Sequence, residues 1–207
     1  MQKKASREAS FIRHLRQKSE PADLARLRRG RADPGQQVVP VVEGFLGRIQ
    51  NEREDRWERT CYYLVAGLWA SSVSWSDLKV RSQAEEEEEP AQAEEGPVEA
   101  GYRRTLGHAM AQLYLARGQS PSIEGRFVAL LDANEEELPY RIRQMVRLLK
   151  TEDGIRIHWA ELLRDLLAWN RERKPVQQKW ARAFYRAVSR ETAEEEAKTT
   201  PREVKDA

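Results

Sequence analysis

The sequence predicts an all-α fold, and three observations carry that reading. Apolar residues recur at helical spacing through most of the 207-residue chain. The only β-branched runs are short: Val38 to Val42, interrupted by Pro40, and Ile155 to Ile157. Helix start and stop signals separate several of the periodic stretches. In chain order, a first helix holds Phe11, Ile12 and Leu15. A second, SEPADLARLRRG, has Ser19 or Glu20 at its start, proline in its first turn and Gly30 at a left-handed C-terminal position. Its Leu24 and Leu27 face inward, and Arg26 and Arg29 face out. After Asp33-Pro34-Gly35 and the apolar VVPVVEGFL comes the longest pattern of the N-terminal half. There Trp57, Cys61, Leu64, Val65, Leu68 and Trp69 share one face, which marks a core helix.

Between Ser76 and Gly101 five consecutive glutamates and two prolines replace large apolar groups, predicting an acidic, disordered surface loop. Helical order resumes with Leu106, Met110 and Leu113, stopped by Gly118. Ser120-Pro121-Ser122 then opens a helix carrying Phe127, Leu130 and Leu131. Asn134 caps the next helix, with Glu135 to Glu137 in its first turn, where the dipole favours acids. On that helix Leu138, Ile142, Met145 and Leu149 form one stripe, and Arg143, Arg147 and Lys150 lie opposite. His158-Trp159 opens a helix with Leu162, Leu163, Leu166 and Trp169, and Lys174-Pro175 separates it from the last. That last helix has an apolar ridge of Trp180, Phe184 and Val188 beside a basic stripe of Lys179, Arg182, Arg186 and Arg190. The tail beyond Arg190 is acidic and polar, and is expected to fray.

Composition allows one sizeable domain or two small bundles sharing an interface. The net charge of +2 conceals an asymmetry: residues 76–101 carry −7 and residues 191–207 carry −3, so the rest carries +12. Such a body attracts phosphate backbones or anionic surfaces. Cys61 is the sole cysteine, which rules out an intrachain disulfide and fits a reducing cytoplasm. No secretory h-region or membrane-length apolar stretch is present, so a membrane partner is not expected, and without a catalytic or nucleotide-binding signature neither is a small-molecule substrate.

Catalytic signatures are absent. His14, His108 and His158 stand apart without metal-ligand spacing, no phosphate-binding glycine loop or nucleophile elbow occurs, and Cys61 lies on an apolar face. Asp132, Glu136 and Asp165 offer carboxylates, but nothing selects a pair of them for acid–base work. The expectation is therefore no enzyme, no cofactor and no metal. Trp57, Trp69, Trp159, Trp169 and Trp180 sit on apolar stripes and read as core; Trp75, beside the acidic loop, is ambiguous between packing and base stacking. The arginine ridges read either as solvated helix faces or as a polyanion surface. The lack of acids on the same helix face as Arg143, Arg147 and Lys150, or as Lys179, Arg182 and Arg186, favours nucleic acid.

The ordered set ADLARLRRG, RTLGHAMA, GRFVALLDANEEELPYRIRQMVRLL, HWAELLRDLLAW and KWARAFY resembles the CasB family, the small subunit of the type I-E CRISPR surveillance complex Cascade. The likeness runs discontinuously from about Asp23 to Arg186, and the acidic loop and tail have no counterpart in it. It implies two packed helical bundles, here residues 1–75 and 102–190, while composition alone marks off the loop at 76–101 and the tail at 191–207. It also implies a non-catalytic subunit working beside other Cascade subunits and a second copy of itself. There it helps hold the crRNA, the target DNA strand and the displaced strand in the R-loop. Arg26, Arg28 and Arg29 match the family's early basic motif, Arg126 precedes FVALL, and Arg143 and Arg147 fall at its paired-arginine position, where this chain has Val146 before Arg147. With Lys150, Lys179, Arg182 and Arg186 these are the candidate nucleic-acid contacts. Two other readings stay open: a protein–protein adaptor, and a helical DNA-binding regulator, although no pair of helices is joined by a three- or four-residue turn.

Overall fold

The computed structural model describes residues 6–29, 38–47, 56–76 and 105–199, with side chains to residue 194. Nine helices and no strand occur among the described residues: α1 Arg7–Lys18, α2 Pro21–Arg29, α3 Pro40–Leu46, α4 Arg56–Ala70, α5 Leu106–Ala116, α6 Pro121–Leu131, α7 Leu138–Leu149, α8 Trp159–Leu167 and α9 Pro175–Thr199. The all-α expectation holds.

Local chemistry sets most boundaries. Ser6 Oγ caps α1 by accepting from Ala9 N at 3.2 Å. Pro21, Pro121 and Pro175 each open a helix, where a missing N–H costs nothing. Asp23 Oδ2 accepts from Glu20 N at 3.1 Å at the start of α2. Gly118 adopts the left-handed φ of +62° that ends α5. Asn134 Oδ1 accepts from Glu136 N at 3.0 Å and Glu137 N at 2.9 Å. The three glutamates form a turn, so α7 opens at Leu138 rather than on them.

Helix α4 is the hub. Every residue from Cys61 to Ala70 is buried, as expected of a helix apolar on all sides. Helices α2, α3, α7 and α8 pack against it. A second group forms around α5, which touches α6, α7 and α9. The seam between α5 and α9 is very close: a Cβ on Gly107 would lie 2.2 Å from the carbonyl oxygen of Trp180. The tryptophans expected in the core are there, with Trp57, Trp69, Trp169 and Trp180 buried and Trp159 half-buried against them.

Two features differ from the sequence reading. Helix α8 lies within the segment assigned to a C-terminal bundle, yet it packs on α1 and α4. Trp57 Nε1 donates to Leu166 O at 3.1 Å, across 109 residues of chain. Just past the same end of α8 the chain reaches the second group, where Trp169 Nε1 donates to Ala133 O at 3.1 Å and its ring lies 5.2 Å from that of Trp180. It is therefore a strut between the two groups. Second, α9 does not end at Arg190 but continues through Thr199. Once a packed helix is nucleated, the strong formers Ala193 to Lys198 propagate it, helped by the Arg190–Glu194 pair at 3.5 Å. The acidic stretch from residue 77 to 101 and residues 200–207 lie outside the described residues.

Candidate nucleic-acid interface

The ten candidate cations divide by what surrounds them. On α2, Leu24 and Leu27 are buried, which turns Arg26 and Arg29 into solvent as expected. Arg28 lies at the edge of the packed face and reaches α4: its Nε donates to Ala70 O and its Nη2 to Val73 O, both at 2.8 Å. Lys150, just past α7, donates from Nζ to Ser71 O at 2.5 Å. Helix α4 has no basic residue in its last turn. Two cations from other helices thus neutralise the carbonyl end of the hub helix.

Arg143 was expected opposite the apolar stripe of α7. It is half-buried instead, with Nε and Nη2 shielded from solvent, because α7 is packed by α4, α5 and α6 over more than one face. Arg147, one turn later, is exposed. Arg126 on α6 is exposed too.

Lys179 departs furthest from the expectation. It has no acid on its own helix face, but α8 supplies two: Nζ pairs with Glu161 Oε1, and with Asp165 Oδ1 at 2.9 Å. Asp165 is 4% exposed and its Oδ2 accepts from Trp180 Nε1 at 2.6 Å. Burial pushes the Asp165 carboxyl above its ordinary range, against the pull of Lys179 and the indole N–H. Burial alone would lower Lys179, but Asp165 and Glu161 together hold its ammonium above its ordinary value. Both carboxylate oxygens of Asp165 accept from donor-only groups, which fixes the carboxyl between the two helices. Asp165 and Lys179 form a joint between α8 and α9, extended towards α1 by Arg164, which pairs with Glu161 at 2.6 Å and reaches Glu8 at 3.9 Å. Farther along the same stripe of α9, Arg182 and Arg186 are exposed.

A second polar knot sits on the N-terminal side. The Glu43 carboxylate accepts from Arg59 Nη1 at 3.0 Å and from the hydroxyl of Tyr63, which in turn accepts from Val39 N at 3.0 Å. Burial would raise the Glu43 carboxyl, but these hydrogen bonds and the Arg59 charge together hold it below its ordinary 4.5. This knot ties α3 to α4 and is structural.

Eight candidates are exposed: Arg28 and Lys150, which hold the end of α4, and Arg26, Arg29, Arg126, Arg147, Arg182 and Arg186. Of these, Arg26, Arg29, Arg126, Arg147 and Arg182 make no salt bridge among the described residues. Sequence reasoning passed over Arg171, Arg173 and Lys174, exposed in the turn from α8 to α9. Arg173 and Lys174 take φ values of +64° and +49°, uncommon for side-chain-bearing residues. The only signal was the charge run RERK before Pro175. Among the described residues no group of three or more His, Cys, Asp or Glu is placed to hold a metal ion, and no helix is long and apolar enough to cross a membrane. Cys61 is buried.

Comparison with known proteins matches this architecture. Residues 23–185 fit the model of the CRISPR-associated protein Cse2 family. A CRISPR-associated protein Cse2 from Thermus thermophilus is 36% identical over 178 residues, covering 84% of this chain and 85% of that protein. The crystal structure of M. ruber CasB superposes with a TM-score of 0.79 at 66% identity, covering 94% of this chain and 99% of that one. A chain of a CRISPR RNA-guided surveillance complex shares the fold, with a TM-score of 0.65 at 20% identity over 91% of this chain and 97% of that one. On the family match, its extent and these identities, the chain belongs to the CRISPR-associated Cse2, or CasB, family.

Proposed function

We propose that this chain is the non-catalytic small subunit of a type I-E CRISPR surveillance complex, Cascade, working in antiviral defence in the cytoplasm. In this reading its outward arginines contact nucleic-acid backbone and stabilise the R-loop formed by crRNA and target DNA, together with the displaced strand. The observation that carries it is the set of exposed arginines on rigid helices α2, α6, α7 and α9 in a chain of the Cse2 family. Base pairing supplies sequence specificity in such complexes, and exchange of one duplex for another is nearly balanced in energy. Backbone contacts can therefore decide whether the open state persists. A subunit with this task needs cations and rigid placement, and no cofactor.

Contact with other Cascade subunits and with a second copy of the chain belongs to the same proposal. Val128 on α6 and Tyr185 on α9 are exposed apolar residues suited to such a contact. Glu124, one turn before Val128, accepts from the Tyr185 hydroxyl at 3.0 Å, which fixes the ring there. The two-bundle division remains a proposal as well, with α8 shared between the groups.

The test is to assemble Cascade with and without this chain and to probe the displaced strand with a single-strand-selective oxidant as salt is raised. The expected result is an R-loop that persists to higher salt with the chain present, and less so when Arg147 and Arg182 are alanine. Equal persistence with and without the chain would contradict the reading.

A further inference from the structure

Trp75 stands apart from the other five tryptophans. It is 41% exposed, whereas the rest are buried or half-buried in the core. It nevertheless follows a backbone held at many points. Beyond the end of α4, Ser71 O accepts from Lys150 and Val73 O from Arg28, as does Ala70 O at the helix end itself. The hydroxyls of Ser71 and Ser72 turn back onto Gly67 O at 2.7 Å and Leu68 O at 3.0 Å. Ser74 and Ser76 join their hydroxyls at 2.7 Å across Trp75 itself. An indole is thus presented to water on a fixed segment gripped by two cations.

The surroundings decide what such an indole meets. A protein-docking anchor usually belongs to a contiguous apolar patch, but the exposed neighbours of Trp75 in the chain are Ser72, Ser74 and Ser76, and Lys150 holds the backbone at Ser71, four residues before it. An aromatic face flanked by cations is the arrangement that single-stranded nucleic acid requires, one element for the base and the other for phosphate. Lys150 Nζ gives one of its three protons to Ser71 O and is exposed. Arg147, also exposed, is one turn earlier on the same side of α7. A duplex hides its base faces in the stack and cannot use the indole.

We propose that Trp75 is a stacking platform for an unpaired base of a single strand, with Lys150 and Arg147 taking the adjoining phosphates. This rests on the proposed contact with nucleic acid and narrows it to single strands at the carbonyl end of α4.

The test uses the full chain and two labelled strands read by fluorescence anisotropy, one bearing bases and one of the same length made of abasic sugar-phosphate. Trp75→Ala should weaken binding to the base-bearing strand about tenfold. Its salt dependence should stay unchanged, because every cation that meets a phosphate is still in place. Trp75→Phe should recover most of the affinity, and on the abasic strand Trp75→Ala and the wild type should bind alike. Melting curves should coincide, since the side chain lies outside the core. Equal binding of the base-bearing strand by wild type and Trp75→Ala, or an equal loss on both strands, overturns the stacking role while leaving backbone contact standing. Failure of the wild type to bind either strand at low salt overturns both.

Discussion

Lys179 and Arg182 lie one turn apart on one basic stripe of α9, but they have different neighbours. The first turn of α9 runs against α8, where Glu161 and Asp165 take up the Lys179 ammonium. The middle of α9 packs its other side on α5 and α6 and leaves Arg182 in solvent. The same contrast holds on α2, where Arg28 grips the end of α4 while Arg26 and Arg29 point away. A cation on a helix therefore takes its role from the helix that faces it. Inner cations close polar joints between helices; outer ones are available to a polyanion.

If that division is right, variants of the two classes must fail differently. The largest effects belong to the joint and to the seam between α5 and α9. Asp165→Ala leaves the buried Trp180 N–H without its acceptor and Lys179 with Glu161 alone, and should cost about 3 kcal/mol in denaturant unfolding. Gly107→Ala strikes the seam that sets α9 in place. With 2.2 Å to the Trp180 carbonyl oxygen, the new methyl forces α5 and α9 apart, for a loss of about 3 kcal/mol, read as a lower melting temperature. Arg28→Ala should cost about 1–2 kcal/mol, because the carbonyls at the end of α4 are left without their charged donor. Arg182→Ala should stay within about 0.5 kcal/mol of the wild type, since its side chain points into solvent.

Acid adds a further contrast. Because the Glu43 carboxyl is held below 4.5 in the folded chain, its contribution to stability is complete above that pH and is lost as pH falls through the lower folded value. Glu43→Gln should flatten that part of an acid unfolding curve, and an unchanged curve would show that the knot with Arg59 and Tyr63 does not contribute.

Much of the fold was legible because helical periodicity reports directly on burial. The stripe Leu138, Ile142, Met145 and Leu149 is fully inside, and so are Trp180 and Phe184 of the α9 ridge, with Val188 half-buried. Periodicity describes one helix at a time, and this explains what it missed. The packing of α8 on α1 and α4 joins residues far apart in the chain, as the Trp57–Leu166 hydrogen bond across 109 residues does, and no local pattern records it. Counting acids only on a cation's own helix could not reveal that Asp165 faces Lys179 from another helix, or that Arg143 turns into a packed face. The true end of α9 escapes the sequence because an acidic, polar composition reads as disorder, although glutamate and alanine carry a nucleated helix onward. At the candidate site the arginine-rich helices were visible, but their sorting into inner and outer cations required the packing.

Single-strand binding by the full chain across a salt series, for the wild type and for Arg147 and Arg182 both changed to alanine, separates outer cations that meet phosphate from ones that are merely solvated. We predict weaker binding that remains blind to sequence, a salt slope shallower by about 0.7 for each phosphate no longer neutralised, and an unchanged melting temperature. A double variant that binds with wild-type affinity and slope, or that fails to bind only because it unfolds, would contradict the assignment of the outer arginines to nucleic acid.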